Sequence, residues 1–295
     1  MADRATVEVA QPLAGETLAD VEALITAATE VDGVAPVSEQ GMLHLRDAGE
    51  GPIRHLVSRL DGVLAGYAQL DLGATSSELV VAPGLRGRGV GKGLVAALAS
   101  AAGPGLRIWA HGDLPAAAAL AASTGLVRVR SLWQMSRSLD AELPEPKIPD
   151  GLVVDAFRPG ADDAAWVDLN ARAFATHPEQ GRLTLADLRE RMAQPWFDPA
   201  GFFVARRGTR MVGFHWTKVH DDTTGEVYVV GVDPDEQGSG LGRALTLLGL
   251  HHLRGRGLAE AILYVDEDNT GAVRLYSTLG FTRRAVDVMY ARSFS

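Results

Sequence analysis

The chain has 295 residues, of which 46% are hydrophobic and 22% are charged, and its net charge at pH 7 is −9. This length and composition predict two domains with cores of their own and exclude a disordered chain, while the acidic balance argues against a general nucleic-acid binder. The absence of cysteine excludes disulfides, thiolate nucleophiles and cysteine-ligated zinc.

The sequence contains no recognisable targeting or membrane segment. No apolar run approaches the ~20 residues that cross a bilayer. Residues 1–12 lack the basic start and apolar stretch of a secretory signal. We therefore expect a cytoplasmic monomer without a membrane or nucleic-acid partner.

The first half predicts helices and strands in alternation. Apolar residues fall on one helical face of its opening segment, at Leu18, Val21, Leu24, Ile25 and Ala28. Residues 54–71 alternate around Asp61–Gly62, which indicates a β-hairpin. The remaining predicted elements are strand 77–82, helix 89–102, strand 106–111, helix 113–124 and strand 126–138.

The second half predicts a similar series. Thr184 and Asp187 have the spacing of a capped helix start, and residues 202–219 predict a hairpin around Arg207–Gly208. The other predicted elements are strand 152–157, helix 161–175, strand 225–232, helix 240–256, strand 259–265, helix 269–279 and strand 282–291. Mixed strands and helices around a central sheet make each half α/β or α+β.

The two halves repeat one plan. Residues 78–95 read ELVVAPGLRGRGVGKGLV, and residues 226–246 read EVYVVGVDPDEQGSGLGRALT. Farther on, residues 123–135 match residues 277–290. We expect two diverged copies of one domain at 1–140 and 151–295, joined by a linker at 141–150 that contains prolines.

Each copy places a glycine-rich loop between a strand and a helix. Glycines allow a tight turn and expose consecutive N–H groups at a helix N-terminus, an arrangement that binds diphosphate. A P-loop does not fit, because Arg86 and Gly93 stand where it needs glycine and a hydroxyl residue. A dinucleotide fingerprint does not fit either, because the glycines alternate without its longer second gap. A loop that only turns the chain stays possible for either copy alone, but two copies disfavour it.

The pattern [Gln/Arg]-x-x-Gly-x-[Gly/Ala] fits both loops and resembles the diphosphate loop of the GNAT acetyltransferases. Residues 269–281, NTGAVRLYSTLGF, resemble the second GNAT signature, N-x-x-A-x-x-x-Y-x-x-x-G-F. Together with residues 177–180, 214–220 and 225–234, the tandem halves are similar to the mycothiol synthase family. The resemblance implies two tandem GNAT acyl-CoA N-acyltransferase domains and acetyl transfer from acetyl-CoA to the cysteinyl amine of Cys-GlcN-Ins, without a metal.

The resemblance also implies roles for individual residues. Glu226 would be the general base, and Tyr276 would be the general acid for the departing thiolate. Backbone N–H groups of Val230, Gly231 and Val232 would hold the acetyl carbonyl. A strand-end carboxylate and a tyrosine packed in the core are the structural alternatives for Glu226 and Tyr276.

The resemblance implies that residues of the strand, the loop and the second signature bind acetyl-CoA, although the first half could bind it without turnover or could only scaffold the acceptor site. In the first half these are Leu79, Val80, Val81, Arg86, Gly87, Arg88, Gly89, Val90, Gly91 and Lys92. In the second half they are Val230, Gly231, Val232, Gln237, Gly238, Ser239, Gly240, Leu241, Gly242, Arg243, Asn269, Thr270, Gly271, Ala272, Val273 and Arg274.

The polar acceptor would be held by five residues that the resemblance implies. These are Glu39, Glu179, Lys218, Glu226 and Tyr264. From the sequence alone, Glu39 and Glu179 could equally be solvated loop charges, and Lys218 and Tyr264 could be residues of the sheet surface.

The halves are expected to differ in activity. Tyr276 stands four residues before Gly280. The residue four before the corresponding Gly125 of the first half is Ala121, which cannot donate a proton. We therefore expect only the C-terminal half to catalyse. Two other functions stay open: acetylation of another small amine such as an aminoglycoside, and acyl-CoA sensing without turnover.

Two further classes of site are excluded by spacing. The eight histidines show no metal-binding pattern such as H-E-x-x-H. Ser123 and Ser277 lack the G-x-S-x-G turn of serine hydrolases.

Overall fold

A computed structural model describes residues 6–46, 51–175, 177 and 180–293. These residues form two compact units. The first unit takes the described residues within 1–133, 266–268 and 285–295, and the second takes those within 134–265 and 269–284.

The first unit is a mixed sheet with helices. Its elements in chain order are β1 (Thr6–Ala10), α1 (Gly15–Asp32), α2 (Glu39–His44), β2 (Ile53–Leu60), β3 (Val63–Asp71), β4 (Ser76–Val81), α3 (Val90–Ala102), β5 (Arg107–His111), α4 (Pro115–Ser123) and the start of β6 (Leu126–Ser138). β1 to β4 pair antiparallel in sequence order, and β4 then pairs parallel with β5. This parallel pair places the chain that follows β4 beside the chain that follows β5.

The second unit repeats this architecture. Its elements are the end of β6, β7 (Val153–Ala156), α5 (Asp163–Ala173), α6 (Leu185–Met192), β8 (Phe202–Arg207), β9 (Arg210–Val219), β10 (Thr224–Val232), α7 (Leu241–Gly255), β11 (Glu260–Asp266) and α8 (Thr270–Thr278). The strand order is β6-β11-β10-β9-β8-β7, with β10 and β11 parallel. The prediction of a mixed α/β sheet is confirmed in both units.

Local signals placed most elements correctly. The first hairpin turns at Asp61 and Gly62, whose φ angles of 53° and 81° suit a tight two-residue turn. Thr184 and Asp187 form the predicted capping box of α6. The sequence did not indicate β1 or α2. Both are short, and most residues of β1 are exposed, so neither carries a clear hydrophobic period.

The last strand of the chain belongs to the first unit from Ala285 onward. β12 (Thr282–Arg292) pairs antiparallel with β5, from Asp287 opposite His111 to Ala291 opposite Arg107. In return, the end of β6 lies in the second unit next to β11. The compact units therefore differ from the repeated halves of the sequence by two exchanged strand segments.

An ion cluster fixes β12 to the first unit. The His111 ring lies 2.9 Å from Glu78 Oε1 of β4 through Nε2 and 3.2 Å from Asp287 Oδ1 of β12 through Nδ1. Burial acts to lower the pKa of His111, but the hydrogen bonds and charges of Asp287 and Glu78 outweigh it and raise the pKa to about 9. The imidazolium thus ties three strands together at neutral pH.

This cluster predicts a pH dependence of stability. A raised pKa in the folded state stabilises the fold fully below the ordinary value of about 6.5, and the contribution disappears as the pH rises through about 9. The free energy of unfolding, followed by circular dichroism in urea, should therefore fall by about 3 kcal/mol more in the wild type than in His111→Gln between these limits. Parallel pH profiles of the two proteins would show that the cluster does not stabilise the fold.

Candidate active site

In both units the pairing between the two parallel strands ends at a glutamate, and the gap beyond it is called the opening here. β10 and β11 stay in register from Thr224 opposite Glu260 to Glu226 opposite Ile262, and β10 then continues along β9 as far as Val232. β4 and β5 stay in register up to Glu78 opposite Trp109. Beyond each glutamate, one edge of the strand backbone is available to a ligand.

A glycine begins each helix that follows the opening. Gly240 is the N-cap of α7 and Gly89 is the N-cap of α3, both with φ of 88° and without a side-chain cap. This left-handed conformation strongly favours glycine. Leu241 donates its N–H to Ser239 Oγ, 3.3 Å away, but a glycine cap has no side chain for the other N–H groups of the first turn. These groups can bind an anion there.

Ion pairs brace the two loops differently. Arg86, within the first loop, donates two hydrogen bonds of 2.7 and 2.8 Å to Asp32 at the end of α1. In the second unit Arg207 makes the equivalent pair of bonds, 2.7 and 2.9 Å, with Glu236. Arg86 is therefore held by a carboxylate, and Lys92 lines the cavity at the first loop.

A cavity of about 440 Å³ occupies the opening in the first unit. Its walls come from the strand residues Leu79–Val81, the glycine loop, residues 108–111 of β5 and the helix α4. Of the ten residues that the sequence assigned to cofactor binding in this half, all except Arg88 line the cavity. The glycine-capped start of α3 places backbone N–H groups at the wall of this cavity, where they can bind a phosphate group.

Glu226 lies at the apex of the opening in the second unit. It is 6% exposed, and its Oε2 is 2.6 Å from Nε2 of His220, which follows β9. Lys218 is directly opposite Glu226 on β9, so both side chains project from the same face of the sheet. The contact of His220 with Glu226 was not predicted, because nothing in the sequence spacing of His220 indicates it.

Lys218 and Tyr264 were assigned to the acceptor site, and aromatic and amide groups surround them. The ammonium of Lys218 lies 5.4 Å from the ring centre of Trp196 and 6.0 Å from that of Tyr228. Tyr264, 45% exposed, accepts a 2.9 Å hydrogen bond from Gln134. Since Ile262 pairs with Glu226 in a parallel register, Tyr264 projects from the face that carries Glu226.

The other two residues predicted to bind the acceptor are Glu39 and Glu179. Glu39 begins α2 in the first unit, where its side chain is exposed. Glu179 lies outside the described residues.

The second signature segment forms a helix with a defined cap at each end. The side chain of Asn269 accepts a hydrogen bond from the N–H of Ala272 and so caps the start of α8. At the other end Gly280, with φ of 84°, donates to Ser277, and Phe281 donates to Tyr276. These two bonds form a Schellman motif, which explains the spacing of tyrosine, glycine and phenylalanine in the signature.

Tyr276 is half-buried in the last turn of α8. Its ring packs edge-on against Phe281, with 5.8 Å between ring centres. Desolvation raises the pKa of its phenol to about 12, so the side chain is a hydrogen-bond donor throughout the neutral range. In the first unit Ala121 has the corresponding place in α4, because Thr124 donates to it just before Gly125.

Cation-binding and membrane-spanning features can be examined only in the described part of the chain. There, no group of three or more histidine, aspartate or glutamate side chains could hold a metal ion. Within the same residues, no helix is both long enough and apolar enough to cross a bilayer.

The chain matches a family model twice and has close relatives. The model of the acetyltransferase (GNAT) family matches residues 21–125 and 165–281. A mycothiol acetyltransferase of Thermobispora bispora is 57% identical, over 94% of this chain and 97% of its own length. A mycothiol acetyltransferase of Thermomonospora curvata is 60% identical, over 92% and 93% respectively.

Solved structures of similar architecture support this result. A GCN5-related N-acetyltransferase from Sphaerobacter thermophilus superposes with a TM-score of 0.74 and 26% identity, covering 98% of this chain and 95% of its own. A tandem GNAT protein of clavulanic acid biosynthesis, 20% identical, has the same fold, with a TM-score of 0.69 over 97% and 98% of the chains. With two copies of the domain and relatives this similar along nearly its whole length, the chain belongs to the GNAT family of acetyltransferases.

Proposed function

We propose that the chain transfers the acetyl group of acetyl-CoA to the cysteinyl amine of Cys-GlcN-Ins and so produces mycothiol and CoA. The observation that carries this proposal is the similarity to mycothiol acetyltransferases along more than nine-tenths of both chains. The opened strand pair of the second unit, with Glu226 at its apex, supports the same reaction.

The second unit offers acetyl-CoA backbone donors on two elements. The N–H groups that follow Gly240 would bind the diphosphate at the start of α7. Within residues 230–232, the N–H groups that point away from β9 would pair with the pantetheine arm and hold the acetyl carbonyl. Residues 269–274 at the start of α8 would cover the other side of the arm, with Asn269 acting through its cap of that helix.

Glu226 is suited to act as the general base, taking the amine proton directly or through one water. The amine nitrogen attacks the thioester carbonyl, the carbon–sulfur bond breaks, and the amine proton passes to the Glu226 carboxylate. His220 holds that carboxylate in one orientation. An α-amino group titrates near or below ~8, so modest base assistance is sufficient at neutral pH.

Tyr276 is suited to act as the general acid for the departing sulfur of CoA. With a pKa of about 12 its phenol is a weaker acid than a free thiol of about 8.5, so its first action is a hydrogen bond to the charge that develops on sulfur. The phenol proton passes to the sulfur as the carbon–sulfur bond breaks, and the phenolate that remains, being the stronger base, takes a proton from solvent before the next turnover. The base and the acid are thus separate groups, on β10 and α8.

The two halves would share acetyl-CoA binding but not catalysis, with residues 1–140 non-catalytic, 141–150 linking and 151–295 catalytic. The cavity of the first unit supports binding there. Ala121 leaves that half without an acid, and Glu78 is already bound by His111 and by the N–H of Ser38. In the catalytic half Lys218 and Tyr264 would hold the hydroxyl groups and the amine of the acceptor, while Glu39 of the first half and Glu179 stay predictions from the resemblance.

Replacing Tyr276 by phenylalanine tests whether this residue is the general acid. This change removes one oxygen and keeps the ring contact with Phe281, so kcat should fall by about 10²-fold while KM for acetyl-CoA stays within about threefold. Release of CoA under saturating amine is the measurement. Tyr290→Phe, in the first unit, is the matched control and should keep the wild-type kcat. An unchanged kcat in Tyr276→Phe would remove this side chain from the reaction.

Matched changes of the two N-cap glycines test the division between the halves. A glutamate at either position is strained at φ of 88° and brings a negative charge to the anion-binding turn. Gly240→Glu should abolish turnover, whereas Gly89→Glu should alter stability or affinity and retain chemistry. Loss of chemistry in Gly89→Glu, with acetyl-CoA still bound at the second loop, would contradict the assignment.

The acceptor is tested by a panel of amines. We expect Cys-GlcN-Ins to give the highest kcat/KM with acetyl-CoA, above glucosamine and an aminoglycoside. A higher value for the aminoglycoside would assign a different substrate. The absence of turnover with every amine would favour a sensor of acyl-CoA.

A further inference from the structure

We propose that Arg137 is a positioning residue for Tyr276, and that residues 137–144, here called the strap, form part of the catalytic machinery of the second unit. The inference deepens the proposed function, because it rests on the role given to Tyr276. It starts from a buried cation that the reaction described above does not use.

Arg137 is 6% exposed, and its hydrogen-bond partners among the described residues are carbonyl oxygens. Nη1 donates to the carbonyl of Leu279, and Nε donates to that of Ser138 at 3.1 Å. Nη2 donates to the carbonyl of Glu142 at 3.3 Å and to that of Ala141 at 3.5 Å. In the part of the chain that the structure describes, no carboxylate pairs with this guanidinium. Carbonyl oxygens alone compensate the cost of burying its charge.

The position of Leu279 explains why the charge is tolerated. Leu279 is the C-cap of α8, where the helix dipole places partial negative charge and where carbonyl groups have no helical partner. Burial and the charge of Arg254 both act to lower the pKa of Arg137, so nothing nearby except these carbonyls favours its charged form. Arg137 therefore stabilises the C-terminal end of this one helix.

Tyr276 lies in the same turn. Its own carbonyl accepts the N–H groups of Leu279 and Phe281, at 3.0 and 3.1 Å. The Schellman motif fixes the backbone on one side of the turn, and Arg137 fixes the remaining carbonyl on the other. A shift of the C-cap would consequently move the phenol relative to the sulfur that it must reach.

The rest of the strap is attached to the other ligand-binding helix. Leu139 is fully buried and donates its N–H to the carbonyl of Ala259 at 2.8 Å. His251 of α7 lies 3.0 Å from the carbonyl of Pro144 through Nε2, and its Nδ1 is 3.0 Å from Arg254. The strap thus joins the helix of the glycine loop to the helix of Tyr276. It fixes the spacing of these two helices around the opening.

A displacement of about 1 Å at a reacting group can lower a rate about 10²-fold. We therefore expect Arg137→Met to lower kcat by about 10- to 100-fold and to leave KM for acetyl-CoA within about threefold. Arg137→Lys keeps the charge and should recover part of the loss. Arg284→Met removes an exposed arginine of the same unit, paired with Glu260, and should keep the wild-type kcat.

A double-mutant cycle separates positioning from general destabilisation. If Arg137 acts through Tyr276, adding Arg137→Met to Tyr276→Phe should lower kcat by less than about threefold. A full further loss in the double variant would overturn the inference, because Arg137 would then act independently of the phenol.

A spectroscopic measurement tests the geometry without turnover. With 3-fluorotyrosine incorporated, the ¹⁹F resonance that disappears in Tyr276→Phe should shift in Arg137→Met and stay in place in Arg284→Met. An unchanged resonance would overturn the inference. If the wild type acetylates no amine, the proposed function fails, but the position of this resonance still decides whether Arg137 places the phenol.

Discussion

The proposed site depends on a parallel strand pair whose pairing ends at a buried glutamate. A strand backbone in a protein interior needs hydrogen-bond partners on both sides. β10 keeps β9 as its partner up to Val232, whereas its register with β11 reaches only to Glu226. The free edge beyond Glu226 can pair with an extended ligand, and the glycine cap of α7 offers N–H groups to an anion at the far end. The end of this strand pairing thus accounts for the strand part of the proposed cofactor site and lies next to its anion-binding part.

The two units show how one framework serves different chemistry. Glu226 and Glu78 occupy the same place at the end of the parallel register. In the second unit His220 binds Glu226, Lys218 lies opposite Glu226 on β9, and α8 carries Tyr276. Glu78 is bound by His111 and Ser38, within a cluster that fastens the exchanged strand β12. The carboxylate at this place is therefore the proposed base in one unit and part of a stabilising ion cluster in the other.

The strap adds a constraint that a modular view of the two halves would omit. Residues before the expected linker already belong to the second unit, and Arg137 is among them. Its guanidinium holds the C-terminal end of α8 through Leu279. Cutting the chain at the repeat boundary of 140 and 151 would therefore separate α8 from a group that caps it.

Local chemistry made much of the fold predictable. Hairpin glycines, the capping box at Thr184 and the apolar face of α1 are short-range signals, and each marked its element correctly. Partners that are distant in sequence were not predictable. Asp287 meets His111 only because β12 crosses to the first unit, and the spacing of His220 gave no indication of its contact with Glu226. The glycine loops were predictable for the opposite reason, since their function depends on consecutive backbone groups of one segment.

A crystal structure of the chain with CoA and an amine acceptor tests the central claim most directly. The account predicts the diphosphate on the N–H groups that follow Gly240, the pantetheine arm along residues 230–232, and the sulfur within hydrogen-bond distance of the Tyr276 hydroxyl. Glu226 would then lie next to the acceptor nitrogen, directly or through one water. CoA bound away from this opening, or a sulfur beyond the reach of both side chains, would contradict it.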